Sequence, residues 1–104
     1  MGYIREENTY VGTDLKYALN IAAEGFNMDD DEFEVLLTCG QKQLLLRKED
    51  LVVDEGGQYY VCFSSVDLGP GVVIAKVTAH IPDDDFEDGF RDEVMKFTLV
   101  RLIL

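Results

Sequence analysis

The sequence predicts an all-β domain, an antiparallel β-sandwich of about seven strands with a barrel as the alternative. Three observations lead there. Apolar residues recur at every second position in short runs, as in Leu15, Tyr17, Leu19 and Ile21 and again in Phe33, Val35, Leu37 and Cys39. Turn-forming clusters such as Gly40-Gln41-Lys42, Gly56-Gly57 and Leu68-Gly69-Pro70-Gly71 separate these runs. No segment sustains the three-and-four spacing of an amphipathic helix. At 104 residues, 47% of them hydrophobic, the chain is sized for one core, so residues 1–104 are expected to form a single domain.

Residues 1–14 read as a lead-in segment or edge strand that ends in the turn before Leu15. Leu15 to Ala23 reads as a half-buried strand. Glu24 to Glu32, with Gly25, Asn27 and the run Asp29-Asp30-Asp31-Glu32, reads as a first acidic loop, because its like charges repel and it offers no apolar face to bury. Phe33–Cys39 and Gln43–Arg47 then form a hairpin around Gly40-Gln41-Lys42. Between Lys48 and Gly57 the pattern is weakest: Leu51-Val52-Val53 fits a short strand or a buried loop, and a helix over 42–53 is a further alternative.

Gln58–Phe63 is rich in aromatic residues and reads as a strand. Ser64 to Gly71 is a turn-rich crossing. Val72–Ile81, dense in β-branched residues and stopped by Pro82, is the candidate central strand. The second acidic loop, Pro82 to Asp92, leads to a last strand from Glu93 to about Leu102.

Nine basic residues against 21 acidic ones give a formal charge of −12. Charge of that size and sign repels phosphate backbones and anionic lipid, which argues against direct binding of nucleic acid or a membrane surface. The opening Met1-Gly2-Tyr3-Ile4-Arg5-Glu6-Glu7 lacks the apolar core of a signal peptide, and no stretch approaches the ~20 apolar residues of a membrane helix. The location expected on these grounds is cytoplasmic. Cys39 and Cys62 each sit inside an apolar run and are expected as two buried free thiols, with a bridge open to them if both faced inward on neighbouring strands.

The acid is concentrated: twelve of the 21 acidic residues fall within positions 29–34 and 83–93. Asp29, Asp30, Asp31, Asp83, Asp84, Asp85 and Asp88 are therefore weak calcium candidates, since Ca²⁺ takes six to eight oxygen ligands. The EF-hand pattern fails, because placing Gly89 at its invariant glycine puts Phe86 third and Met95 last. A calcium site outside that pattern needs both loops at one pole of the sandwich. One strand between residues 43 and 53 would bring them together, and two would place them at opposite ends.

Phe86, Phe90 and Arg91 interrupt the second acidic loop. Anchoring of the loop on the sandwich edge is the expected use of the two rings, with presentation to a partner the alternative, and Arg91 is expected to pair with neighbouring carboxylates. Tyr59 and Tyr60 must point to opposite faces of their strand, and the outward one, with Tyr17, is a candidate platform for a partner or a sugar ring.

Nothing in the pattern points to an enzyme. His80, the single histidine, falls on the polar face of its strand with Lys76 and Thr78, neither cysteine has a cationic neighbour in sequence, and Ser64-Ser65 lacks the glycines of a nucleophile elbow. No cofactor-binding motif is present, and none is expected to be needed.

The order of Asn8-Thr9-Tyr10-Val11-Gly12-Thr13-Asp14-Leu15, Gly25-Phe26, Lys48-Glu49-Asp50-Leu51, Leu68-Gly69-Pro70-Gly71 and Ile81-Pro82-Asp83-Asp84-Asp85-Phe86-Glu87-Asp88-Gly89-Phe90-Arg91 resembles small proteins of Bacteroides-type bacteria found among phage and prophage structural genes. More distantly, it resembles the immunoglobulin-like N-terminal domain of phage upper baseplate proteins. That resemblance implies an immunoglobulin-like sandwich, a non-enzymatic structural or docking role, a partner that is another protein or a second copy of the chain, and a virion-associated location. The charge supports a rival reading, an acidic imitation of nucleic acid that blocks a DNA-binding protein. A calcium- or glycan-binding module is the third.

Overall fold

The computed structural model describes residues 8–104, so the readings made on residues 1–7 lie outside the described residues. Among the described residues eight strands, β1 (Asn8–Tyr10), β2 (Asp14–Leu19), β3 (Glu32–Cys39), β4 (Lys42–Arg47), β5 (Val52–Val53), β6 (Tyr59–Ser64), β7 (Gly71–Pro82) and β8 (Phe90–Ile103), form two sheets. The larger is ordered β1-β8-β7-β3-β4 and the smaller β2-β6-β5. β7 is central, as its apolar density predicts.

Alternation divides each strand between a core face and an outer face. On the larger sheet Phe33, Val35, Leu37 and Cys39 of β3 and Val73, Ala75, Val77, Ala79 and Ile81 of β7 are all buried. From the smaller sheet Leu19, Tyr59, Val61 and Phe63 meet all of these except Ala79 and Ile81 in one cluster. Phe33 ties the layers together, edge-to-face with Tyr59 at 5.7 Å and with Phe26 at 5.9 Å. The β3–β4 hairpin turns through Gly40 and Gln41, and Gly40 takes φ +59°, the first position of a type II′ turn, where glycine alone is unstrained.

Several expectations are corrected. The larger sheet is mixed, because β1 runs parallel to β8 (Asn8 opposite Arg101, Tyr10 opposite Ile103). β1 is a three-residue edge strand joined to the other sheet by a turn, so no hairpin connection dictates its direction. β2 stops at Leu19 rather than Ala23, since its partner β6 begins opposite it at Tyr59. Helix over 42–53 is absent apart from a single 3₁₀ turn at Lys48–Asp50, closed by the Arg47 amide donating to Asp50 Oδ2 at 2.9 Å. β8 starts at Phe90, inside the segment read as loop, because the ladder with β7 continues through Ile81–Arg91 and Pro82–Phe90.

The cysteines also differ from expectation. Cys39 is buried, with Sγ 3.5 Å from the Pro70 carbonyl, whereas Cys62 is exposed. β6 sends Tyr59, Val61 and Phe63 inward, so the alternating position must face out. A thiol-reactive dye is accordingly expected to modify Cys62 in the native protein and Cys39 only on unfolding. Fast modification of both, read by mass spectrometry, would contradict this placement.

Candidate functional site

β3 begins, and β7 ends, at the same pole of the sandwich, where Glu32 lies opposite His80. Both acidic loops, residues 20–31 and 83–89, therefore meet there. Two strands do lie between residues 42 and 53, which by simple strand counting would have separated the loops. β5 is only two residues long and pairs at the Tyr59 end of β6, where the Tyr59 hydroxyl donates to Asp29 Oδ1 at 3.2 Å. The chain doubles back at that pole without crossing the sandwich, so β5 does not alter the parity.

Two cations hold the loops. Arg91, on the core face of β8 opposite buried Ile81, donates from Nη2 to the Glu24 carbonyl at 2.8 Å and pairs with Asp83 at 3.2 Å and Glu93 at 3.6 Å. Lys48 Nζ donates to the carbonyls of Asp29 at 2.7 Å and Asp31 at 3.0 Å. The pairing expected of Arg91 is thus present. Lys48, which the sequence reading placed in its weakest stretch, is a second clamp.

Many loop carboxylates cap their own backbone. Asp31 Oδ2 accepts from the Asn27 amide, Asp83 Oδ1 from the Asp85 amide and Asp88 Oδ1 from the Phe90 amide, at 2.8, 3.0 and 3.1 Å. Among the described residues no three His, Cys, Asp or Glu side chains are grouped to share a metal ion. Asp29, Asp30, Asp31, Asp83, Asp84, Asp85 and Asp88 thus share a pole without converging on one point. Phe86 is 50% and Phe90 39% exposed, so neither ring anchors the loop in the core. Phe90 stacks instead on the outward ring of His80 at 4.1 Å, which Asp92 engages at 2.8 Å.

Tyr59 is buried, and Tyr60 points outward beneath Lys16 Nζ, which sits 4.4 Å above its ring. Tyr17 stacks on inward-facing Phe63 at 6.3 Å, so a platform of Tyr17 with Tyr60 does not form. Burial, then the hydrogen bond and charge of Asp29, raise the Tyr59 hydroxyl above its ordinary pKa of 10.0. The hydrogen bond to Asp54 is the first cause raising Tyr60, while Asp54, held first by the Gln58 amide, is lowered. The folded state keeps both tyrosine protons more tightly than the unfolded state does. Their contribution is present below about pH 10 and is lost as pH rises through the folded values. Thermal melts from pH 8 to 11 should show a falling Tm on the alkaline side, and the fall should shrink in Y59F/Y60F.

No family model, curated protein or solved structure matches the chain. Function must therefore be read from the surface itself.

That surface is divided by charge. Below the His80 row, the outer face of the larger sheet carries Arg47, Lys76, Lys96 and Arg101 against one carboxylate, Glu34, which stands opposite Arg47, and among the described residues none of the four cations is within ion-pair distance of an acid. Lys76 and Lys96 are direct cross-strand partners, an arrangement that repels. Around them lie Leu36 and Ile74, half-buried, and Leu45 and Val94, which are 40% and 50% exposed. Alternation marked Lys76 as outward from sequence. The juxtaposition with Lys96 needed the β7–β8 register, which a bulge beside Val73/Ile74 makes unreadable from pattern alone. The cleft at the upper edge of this face, lined by Glu32, Glu34, Arg47, Thr78, His80 and Asp92, is about 210 Å³, below the ~300–1,000 Å³ usual for small-molecule sites.

Proposed function

We propose that this chain is a non-enzymatic protein-binding module on an immunoglobulin-like frame, serving as a structural component of a phage- or prophage-derived assembly. The observation that carries the binding role is the outer face of the larger sheet. Exposed aliphatic side chains there surround repelling, unpaired cations on a protein of net charge −12, an arrangement that costs stability in isolation and is relieved by an anionic, partly apolar partner.

Strand order supports the immunoglobulin-like frame. β2-β6-β5 corresponds to a B-E-D sheet, and β8-β7-β3-β4 to the G-F-C-C′ order of variable-type domains, with β1 added at the outer edge of β8. The usual core markers differ: the chain has no tryptophan, and its cysteines sit on β3 and β6 facing opposite ways. The phage association rests on the motif order described above, and with it a virion-associated rather than free cytoplasmic location. Affinity purification of the tagged chain from its own cells, after crosslinking, should return a stoichiometric protein complex. A monomer with no stoichiometric partner would contradict the proposal.

Convergence of both acidic loops at one pole favours a second reading, an acidic imitation of nucleic acid. It requires binding to a basic nucleic-acid enzyme that weakens steeply with salt. Absence of any such binding removes it.

A further inference from the structure

The exposed loop at residues 83–89 and the cationic outer face of the larger sheet are complementary surfaces at different places on one molecule. Asp84, Asp85 and Glu87 are exposed, and Phe86 projects among them, half of its surface in solvent. The side chains of Asp84 and Asp85 make no hydrogen bond or ion pair among the described residues, unlike those of Asp83 and Asp88. On the face, Lys76 and Lys96 stand opposed, with Leu36 and Leu45 continuing the same cross-strand row. Among the described residues no ion pair joins the two surfaces: the ion pairs run from Lys48, His80 and Arg91, all near the loop pole.

We infer that the partner of this face is a second copy of the chain, whose loop 83–89 docks Asp84 and Asp85 against Lys76 and Lys96 and lays Phe86 on the aliphatic row beside them. This rests on the protein-binding reading above and names its partner. The loop of one copy meets the sheet face of another, so the two patches are different, and the association closes as a reciprocal dimer or a ring or runs on as a filament. Its chemistry is that of an interface with an aromatic anchor inside a ring of charge.

Ionic strength follows from the same geometry. Copies of net charge −12 repel at long range, and near physiological salt, with a Debye length of ~8 Å, that repulsion is screened while contacting charges still attract. At about 1 M salt, with a Debye length of ~3 Å, the local attraction is weakened as well.

Sedimentation velocity across a concentration series tests this. The wild-type chain should show a weight-average mass that rises with concentration near physiological salt and less so at about 1 M. K76E/K96E should remain monomeric. D84K/D85K is the discriminating variant: two Asp-to-Lys changes of +2 each bring the net charge from −12 to −8, so general repulsion falls, yet association should be lost. Combining all four substitutions restores both the complementarity and the net charge of −12, and association should return. All four positions are outside the core, and unchanged melting curves confirm the folds. A wild-type chain that stays monomeric at every concentration and salt overturns the self-docking. So does an assembly that K76E/K96E and D84K/D85K leave intact. Either result leaves the protein-binding reading standing if the crosslinked purification yields a different stoichiometric protein, and removes it if that purification yields none.

Discussion

Leu37→Ala is expected to lower stability by about 2–5 kcal/mol, while Leu36→Ala, one residue earlier, should cost under about 1 kcal/mol. Leu37 is 0% exposed on the core face of β3, between β7 and β4, and its removal leaves a cavity that the flanking strands cannot close. Leu36 points to the outer face and is half-buried. For a domain of this size each kcal/mol moves Tm by roughly 4–8 °C, so Leu37→Ala should lower Tm by some 10 °C or more. Similar losses at both positions would mean that the alternation assigned to β3, and with it the outer face, is wrong.

Gly71→Ala should cost about 2–4 kcal/mol. Its backbone lies at φ +135°, which an L side chain adopts only under strain, and a Cβ there would stand 2.9 Å from Cys39 Sγ. Those two causes are separable. In a Cys39→Ala background the steric part is relieved and the backbone part remains, so the penalty of Gly71→Ala should shrink without vanishing. Additive costs in the denaturation midpoints of the four variants would show that the crowding between β3 and β7 is not as described.

The fold was legible wherever a strand is buried on one face and paired along its length. Phe33, Val35, Leu37 and Cys39 could be placed inward from spacing alone, and β7 could be placed centrally, because burial and alternation act on the same residues. Legibility failed where pairing rather than burial decides the structure. β2 ends for want of a partner beyond Tyr59, and β8 gains Phe90 to Asp92 because β7 continues opposite them. The shared pole of the acidic loops was hidden by β5, whose two residues turn back without crossing the sandwich.

At the candidate site, Arg91 was legible as a cation among acids, and its carbonyl acceptor Glu24, 67 residues away, was not. Phe86 and Phe90 read from sequence as anchors on the sandwich edge or as rings offered to a partner; Phe90 stacks on His80 of β7, and Phe86 stays half exposed. The opposition of Lys76 and Lys96 is a property of register, and no spacing within either strand contains it.

The central claim is that the outer face of the larger sheet is a protein-binding surface. Amine labelling with a lysine-reactive reagent tests it most directly, by comparing the isolated chain at high dilution with the native complex recovered from cells. Lys76 and Lys96 should be protected in the complex, while Lys16, on the outer face of the smaller sheet, should react equally in both. Equal labelling of Lys76 and Lys96 in the two states, or protection of Lys16 in their place, would contradict the account.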